Sequence, residues 1–129
     1  RRRFDDSQDE AMFKDKSSLK LFRDFKVLLE KHFVEFHQVQ DYAGMLAITD
    51  KYLNELSKKT VGLTASELIH DRIILEARRL LLHSDLSNKE VAFHLKFEDP
   101  SHFSKFFKKK TGYTPTDFRV MIREKYART

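Results

Sequence analysis

The sequence predicts an all-α protein: two helix-turn-helix subdomains joined by a long linker helix, with an extra helix on the N-terminal side. Three observations lead there. The 129 residues include only three Gly and two Pro, too little turn chemistry for an all-β fold. Apolar residues recur three and four positions apart, which is the helical period. The chain also repeats itself at an interval of about 50 residues.

The elements follow in order. Residues 1–17 are polar and mixed in charge and read as an arm. From Ser18, the positions Leu21, Phe22, Phe25, Leu28, Leu29 and Phe33 mark an amphipathic helix, with Ser17 or Ser18 as its cap. A second helix runs from about Val39 to Leu46, with Val39, Tyr42, Ala43 and Leu46 on one face. Thr49 caps a third, whose apolar face is Tyr52, Leu53 and Leu56 and whose stop is Gly62. Thr64-Ala65-Ser66-Glu67 has the capping-box pattern and opens a fourth helix. Its face is Leu68, Ile69, Ile73, Leu75, Ala77, Leu80 and Leu81, and it extends to Leu82, a rod of about 28 Å. Ser87 and Glu90 repeat the capping box at the start of a fifth helix carrying Val91, Ala92 and Leu95. A sixth follows Pro100-Ser101, carries Phe103, Phe106 and Phe107, and stops at Gly112. The last begins near Pro115, a residue suited to a first helical turn, and carries Phe118, Met121 and Ile122. The organisation is therefore an arm (1–17), a first part with the N-terminal helix, first helix-turn-helix and linker helix (18–82), and a second helix-turn-helix with the C-terminal helix (83–129).

The repeat carries the most information. A shift of fifty sets Leu53 on Phe103, Lys58 on Lys108, Lys59 on Lys109, Gly62 on Gly112, Thr64 on Thr114 and Leu68 on Phe118. A shift one residue shorter sets Ala43 on Ala92, Leu46 on Leu95 and Ile48 on Phe97. Each unit is a short helix, a tight turn, a second helix ending in Lys-Lys, then Gly and another helix. That is the layout of a helix-turn-helix. Ala43 and Ala92 let two helices cross closely, and Ile48 and Phe97 plug the angle between them. A plain bundle with duplicated packing does not account for the repeated basic ends.

Charge and composition narrow the functional classes. Of the net charge of +5, residues 1–36 hold nine basic and eight acidic groups, residues 37–86 six and seven, and residues 87–129 ten and five. The excess is in the last third, among Lys105, Lys108, Lys109, Lys110, Arg119, Arg123, Lys125 and Arg128, the pattern expected for a polyanion partner. With no Cys there are no disulfides, thiolate nucleophiles or Cys-based metal sites, and a reducing cytoplasm is the expected location. No apolar run approaches the roughly 18 residues of a membrane span. The chain does not begin with Met and is expected to be a fragment of a longer regulator.

The stretch Glu90-Val91-Ala92, Phe97-Glu98-Asp99-Pro100-Ser101-His102-Phe103-Ser104-Lys105-Phe106-Phe107-Lys108-Lys109-Lys110-Thr111-Gly112-Tyr113-Thr114-Pro115 and Phe118-Arg119 closely resembles the signature of the AraC/XylS family. Tyr42-Ala43, Tyr52 to Leu56 and Gly62 to Ala65 resemble that family's weaker first motif, and Arg72 to Leu81 its linker helix. The resemblance covers residues 39–119. It implies two helix-turn-helix subdomains reading successive major grooves of duplex DNA in the control of transcription in bacteria. It also implies a separate sensing or dimerisation domain elsewhere in the full protein. One departure is Lys96, where the family usually has Gly in the turn; a left-handed backbone there costs a non-Gly residue about 1 kcal/mol.

Helical phase and resemblance together assign the base-reading residues as Asp50, Lys51, Asn54 and Glu55 on the first reading helix and Ser101, Ser104 and Lys105 on the second. Asn pairs with adenine through both amide atoms, Lys donates to guanine, and Glu accepts from the cytosine amino group. Lys58, Lys59, Lys108, Lys109, Lys110 and Arg119 are the expected phosphate contacts. No His pair faces a carboxylate at helical spacing, so no metal site is expected, and no cofactor. The expected partner is double-stranded DNA, with no membrane and any dimerisation placed in the missing domain. The resemblance also touches DNA-repair methyl acceptors, whose chemistry needs a reactive Cys that this chain lacks, so it is not read as an enzyme. The alternative reading is a helical interaction module that contacts RNA polymerase or another regulator.

Overall fold

The computed structural model describes the backbone of residues 2–127 and the side chains of residues 16–127. Among the described residues there are seven helices and no strand: α1 (Arg2–His32), α2 (Val39–Met45), α3 (Asp50–Val61), α4 (Ala65–His83), α5 (Asn88–His94), α6 (Pro100–Thr111) and α7 (Pro115–Ala127). The all-α fold follows the sequence closely after residue 33. Before it there is one difference. α1 begins at Arg2, so Ser17 and Ser18 lie inside a helix and cap nothing. The physical reason is visible in the segment itself, which has no Gly or Pro and is made largely of residues that tolerate a helix. The arm expected over residues 1–17 falls mostly on side chains outside the described residues.

The chain forms two compact units, Arg1–Ile69 and His70–Thr129. α4 gives its first turn to unit 1 and the rest to unit 2, whereas the sequence reading placed the whole helix with the first part.

In unit 1, Phe22, Phe25 and Leu29 of α1 and Phe33 just after it are buried with Tyr42, Ala43, Leu53, Leu56, Ala65 and Ile69. Phe25 meets Tyr42 edge-on at 5.6 Å between ring centroids, and the Tyr42 hydroxyl donates to the Phe36 carbonyl at 2.7 Å. Burial, reinforced by the Asp41 charge, pushes the Tyr42 phenol well above its ordinary pKa, so it stays a donor. In unit 2, Ile73, Ile74, Ala77, Leu80 and Leu81 of α4 are buried with Val91, Ala92, Leu95, Phe97, Phe103, Phe107 and Phe118. Phe97 stacks against Phe103 and Phe106, and Phe107 against Phe103 and Phe118, all between 5.2 and 5.9 Å.

The two cores solve one packing problem differently. The long helix before each helix-turn-helix presents buried residues four apart, Phe25 and Leu29 in α1, continued by Phe33 just past its end, and Ile73, Ala77 and Leu81 in α4. The repeat sets Ser57 of α3 on Phe107 of α6, and both are fully buried. Where the long helix is bulky the reading helix is small, and the reverse. Close packing requires that complementarity. The buried Ser57 hydroxyl donates to the Leu53 carbonyl at 2.9 Å.

Candidate nucleic-acid interface

The turn that sets each helix pair is built twice with the same bonds. In the first, Ala47 N–H donates to the Gly44 carbonyl (3.2 Å) and Ile48 N–H to the Ala43 carbonyl (3.0 Å). In the second, Lys96 N–H donates to Phe93 (3.1 Å) and Phe97 N–H to Ala92 (3.0 Å). This is the Schellman arrangement, which places one residue in the left-handed region. That residue is Ala47 (φ 57°) in one unit and Lys96 (φ 66°) in the other. Lys96 therefore keeps the turn that Gly normally makes, and Ala47 does so as well, which the sequence reading did not notice.

Each turn delivers the second helix through a side-chain cap. Thr49 Oγ1 accepts from Tyr52 N–H at 3.0 Å, and Asp99 Oδ1 from His102 N–H at 2.7 Å. The cap of α6 is thus Asp99, one position before the Pro100-Ser101 start read from sequence. The Ser101 hydroxyl and the His102 amide hold the Asp99 carboxyl below the usual carboxylate range. α3 and α6 end at Gly62 and Gly112, both left-handed (φ 82° and 86°), directly after their basic last turns.

Burial fixes which face of each helix is free. Leu53, Leu56 and Ser57 point inward on α3. At about 100° per residue, Lys51, Glu55 and Lys58 lie within about 35° of the direction opposite that buried stripe. All three are exposed, as are Asp50 and Lys59 on the flanks. On α6, Phe103 and Phe107 point inward, and Ser101, Lys105 and Lys108 take the corresponding outward positions, with Lys109 exposed beside them.

Four of the residues assigned from sequence do other work in the fold. Asn54 lies on the flank of α3, and its side-chain carbonyl accepts from Ser66 N–H at 3.1 Å, in the first turn of α4. Two-atom recognition of adenine uses that same oxygen, so the bond to Ser66 competes with a base-reading role for Asn54 and ties it to α4. Lys110 is half-buried and its ammonium sits 3.2 Å from Asp71 of α4, so it is not a free phosphate ligand. Arg119 donates to the Leu86 carbonyl at 2.6 Å and its Nε is buried, so it braces the loop before α5. The Ser101 hydroxyl donates to Asp99 at 2.6 Å, which leaves only its lone pairs free. Ser104 is half-buried.

The sequence reading assigns His102 no contact and places Tyr52 on the apolar face of α3, but Tyr52 is exposed. The two residues occupy equivalent places, both exposed on the flank of their reading helix and both bonded through N–H to its cap. The fifty-residue shift pairs them directly, so the signal was present. No cluster of metal-ligating side chains occurs among the described residues. No described helix is long and apolar enough to cross a membrane.

Two units with matching turns, each holding the polar face of its second helix clear of the core, define a DNA-binding protein of the helix-turn-helix class. A family model described as a helix-turn-helix domain matches residues 42–121. The transcriptional activator RhaS of Escherichia fergusonii is 34% identical over 91 residues, which are 70% of this chain and 33% of that protein. RhaS of Klebsiella pneumoniae is 32% identical, also over 91 residues, 70% of this chain and 33% of that protein. The chain thus spans about a third of the length of these curated relatives. The C-terminal domain of the response regulator yesN from Fusobacterium nucleatum superposes with a TM-score of 0.68 at 26% identity, covering 75% of this chain and 95% of that one. The DNA-binding domain of AdpA, solved with a target DNA, shares the fold (TM-score 0.70, 21% identity, 83% and 96% covered). The chain belongs to the AraC/XylS family of DNA-binding transcription regulators.

Proposed function

We propose that this chain is the DNA-reading part of a bacterial transcription regulator and that α3 and α6 each enter a major groove of duplex DNA. The observation that carries the reading is the free polar face opposite the buried stripe on both helices, delivered by the same turn. In this reading Lys51 and Glu55 of α3, with Asp50 at its start, and Lys105 of α6, with Ser101 and Ser104, face base edges. Lys58, Lys59, Lys108 and Lys109 neutralise phosphates at the basic ends of the two helices, which positions the protein without reading sequence. The groove admits a helix and offers a distinct donor and acceptor pattern for each base pair. The protein works by binding in the cytoplasm and catalyses no reaction. RNA polymerase is a further candidate partner of this chain, and any dimerisation is assigned to another domain of the regulator.

The test is selection of bound sites from random duplex DNA, followed by gel shifts over a range of salt. A defined motif whose affinity falls linearly with log salt supports the reading. Binding that is equal for all duplexes, or absent, rejects it.

A further inference from the structure

The repeat sets Glu55 of α3 on Lys105 of α6. Both are exposed, and both sit at the centre of the outward face of their helix. Equivalent positions thus carry opposite charge. An acid there is unfavourable for general attraction to DNA, since it faces phosphates and the acceptor-rich edges of purines. No contact from another described element holds it there, and its helix neighbours at three and four residues attract it only weakly. Among the described residues Glu55 has no hydrogen bond or ion pair, and it lines only a shallow depression with Asn54, Lys58, Lys59 and Thr64. Lys51, Lys58 and Lys59, one turn away on either side, hold the helix surface basic around it.

We infer that Glu55 is a specificity residue that acts by exclusion, its carboxylate accepting a cytosine amino group at one position of the site and rejecting the other bases. The inference rests on the DNA-reading role of α3 proposed above. Of the four bases, cytosine alone presents an amino donor in the major groove with no acceptor of its own beside it. Adenine sets N7 next to its amino group, while guanine and thymine present carbonyl oxygens. Against these a desolvated carboxylate is left unpaired or repelled, so discrimination comes mainly from disfavouring wrong sites. Lys105 does the reverse in unit 2, where a donor is held out for guanine acceptors.

The experiment uses the whole chain and duplexes selected from a random pool, varied through all four bases at each position. The expected result is one position where cytosine is preferred by about ten-fold or more. Glu55→Ala removes the preference there and binds unrelated duplexes more tightly. Glu55→Gln moves it toward adenine, which an amide recognises with both atoms. Lys105→Ala alters a different position and weakens unrelated duplexes. The inference is overturned if Glu55→Ala leaves the base profile unchanged or lowers all affinities equally. If the unaltered chain prefers no duplex at all, the DNA-reading role falls too; a preserved motif with no response at Glu55 overturns this inference alone.

Discussion

The side-chain carbonyl of Asn54 accepts the backbone N–H of Ser66 at 3.1 Å, joining the middle of α3 to the first turn of α4. That amide is one of the donors that a helix N-terminus leaves without a backbone partner. Thr64 and Glu67 satisfy the neighbouring groups, with Glu67 N–H donating to Thr64 Oγ1 at 3.1 Å and Thr64 N–H to Glu67 Oε1 at 2.9 Å. Asn54→Ala should therefore lower stability by about 0.5–1.5 kcal/mol. Asn54→Asp, which keeps an acceptor, should lose less. Denaturant melts give the magnitude. A set of single-base site variants gives the role: the base profile should keep its shape in both variants, and a changed preferred base would return Asn54 to the reading face.

Ala47 and Lys96 hold left-handed backbone without being glycine. Ala47→Gly and Lys96→Gly should each raise stability by about 0.5–1 kcal/mol, and the two gains should add because the turns lie in different units. Gly62 and Gly112 provide the opposite control. Replacing either with Ala forces a Cβ into the same backbone region and should lower stability by about 1 kcal/mol.

Salt dependence separates free lysines from paired ones. Lys108→Ala with Lys109→Ala should reduce the slope of log affinity against log salt by about two units, close to 0.9 per phosphate contact. Lys110→Ala should change it little, because the Lys110 ammonium is held 3.2 Å from Asp71. Equal effects from all three would show that the ion pair opens on binding.

Two helix caps make stability sensitive to acid. The Ser101 hydroxyl and the His102 amide lower the Asp99 pKa, and the amide and hydroxyl of Ser87 lower that of Glu90. A carboxyl whose folded pKa lies below its unfolded value binds fewer protons when folded. Its contribution is complete above the unfolded pKa and is lost as pH falls through the folded one. Unit 2 should accordingly lose stability from about pH 5 downward. Asp99→Asn, which keeps an uncharged acceptor at the cap, should flatten part of that dependence. Melting temperatures from pH 7 to 3 measure it, and identical curves for the two proteins would show that Asp99 stays protonated or unbonded.

Ser57 and Phe107 test the reciprocal packing of the two cores. Ser57→Phe puts an aromatic ring at a fully buried position of unit 1 and should destabilise by about 1–3 kcal/mol. Phe107→Ser opens a cavity in unit 2 and should cost more, about 3–5 kcal/mol. A Ser57→Phe protein that melts unchanged would mean that unit 1 has spare volume.

The helices, their caps and the doubled turn were legible because each rests on local chemistry. Thr49, Ser87 and the Thr64–Glu67 pair cap within one turn, Gly62 and Gly112 take the left-handed backbone, and the apolar spacing names the buried faces except at Tyr52 and Leu75, which are exposed. Local signals of this kind persist in a linear sequence. The division of α4 between two units left no such mark, since a continuous helix shows no break in composition where its packing partner changes.

Which polar side chains stay free was decided only by the tertiary structure. Asn54 and Glu55 are neighbours with similar polarity, and helical phase put both on the reading side. In the fold, Ser66, twelve residues away in sequence, takes the Asn54 oxygen and leaves Glu55 unpaired. Asp71 takes Lys110 and Leu86 takes Arg119 in the same way, across 39 and 33 residues. A polar group's availability depends on whether a distant donor or acceptor comes within about 3 Å of it. The sequence by itself determined where the reading helices begin, end and turn their apolar faces, and long-range contacts determined which of their charges remain for DNA.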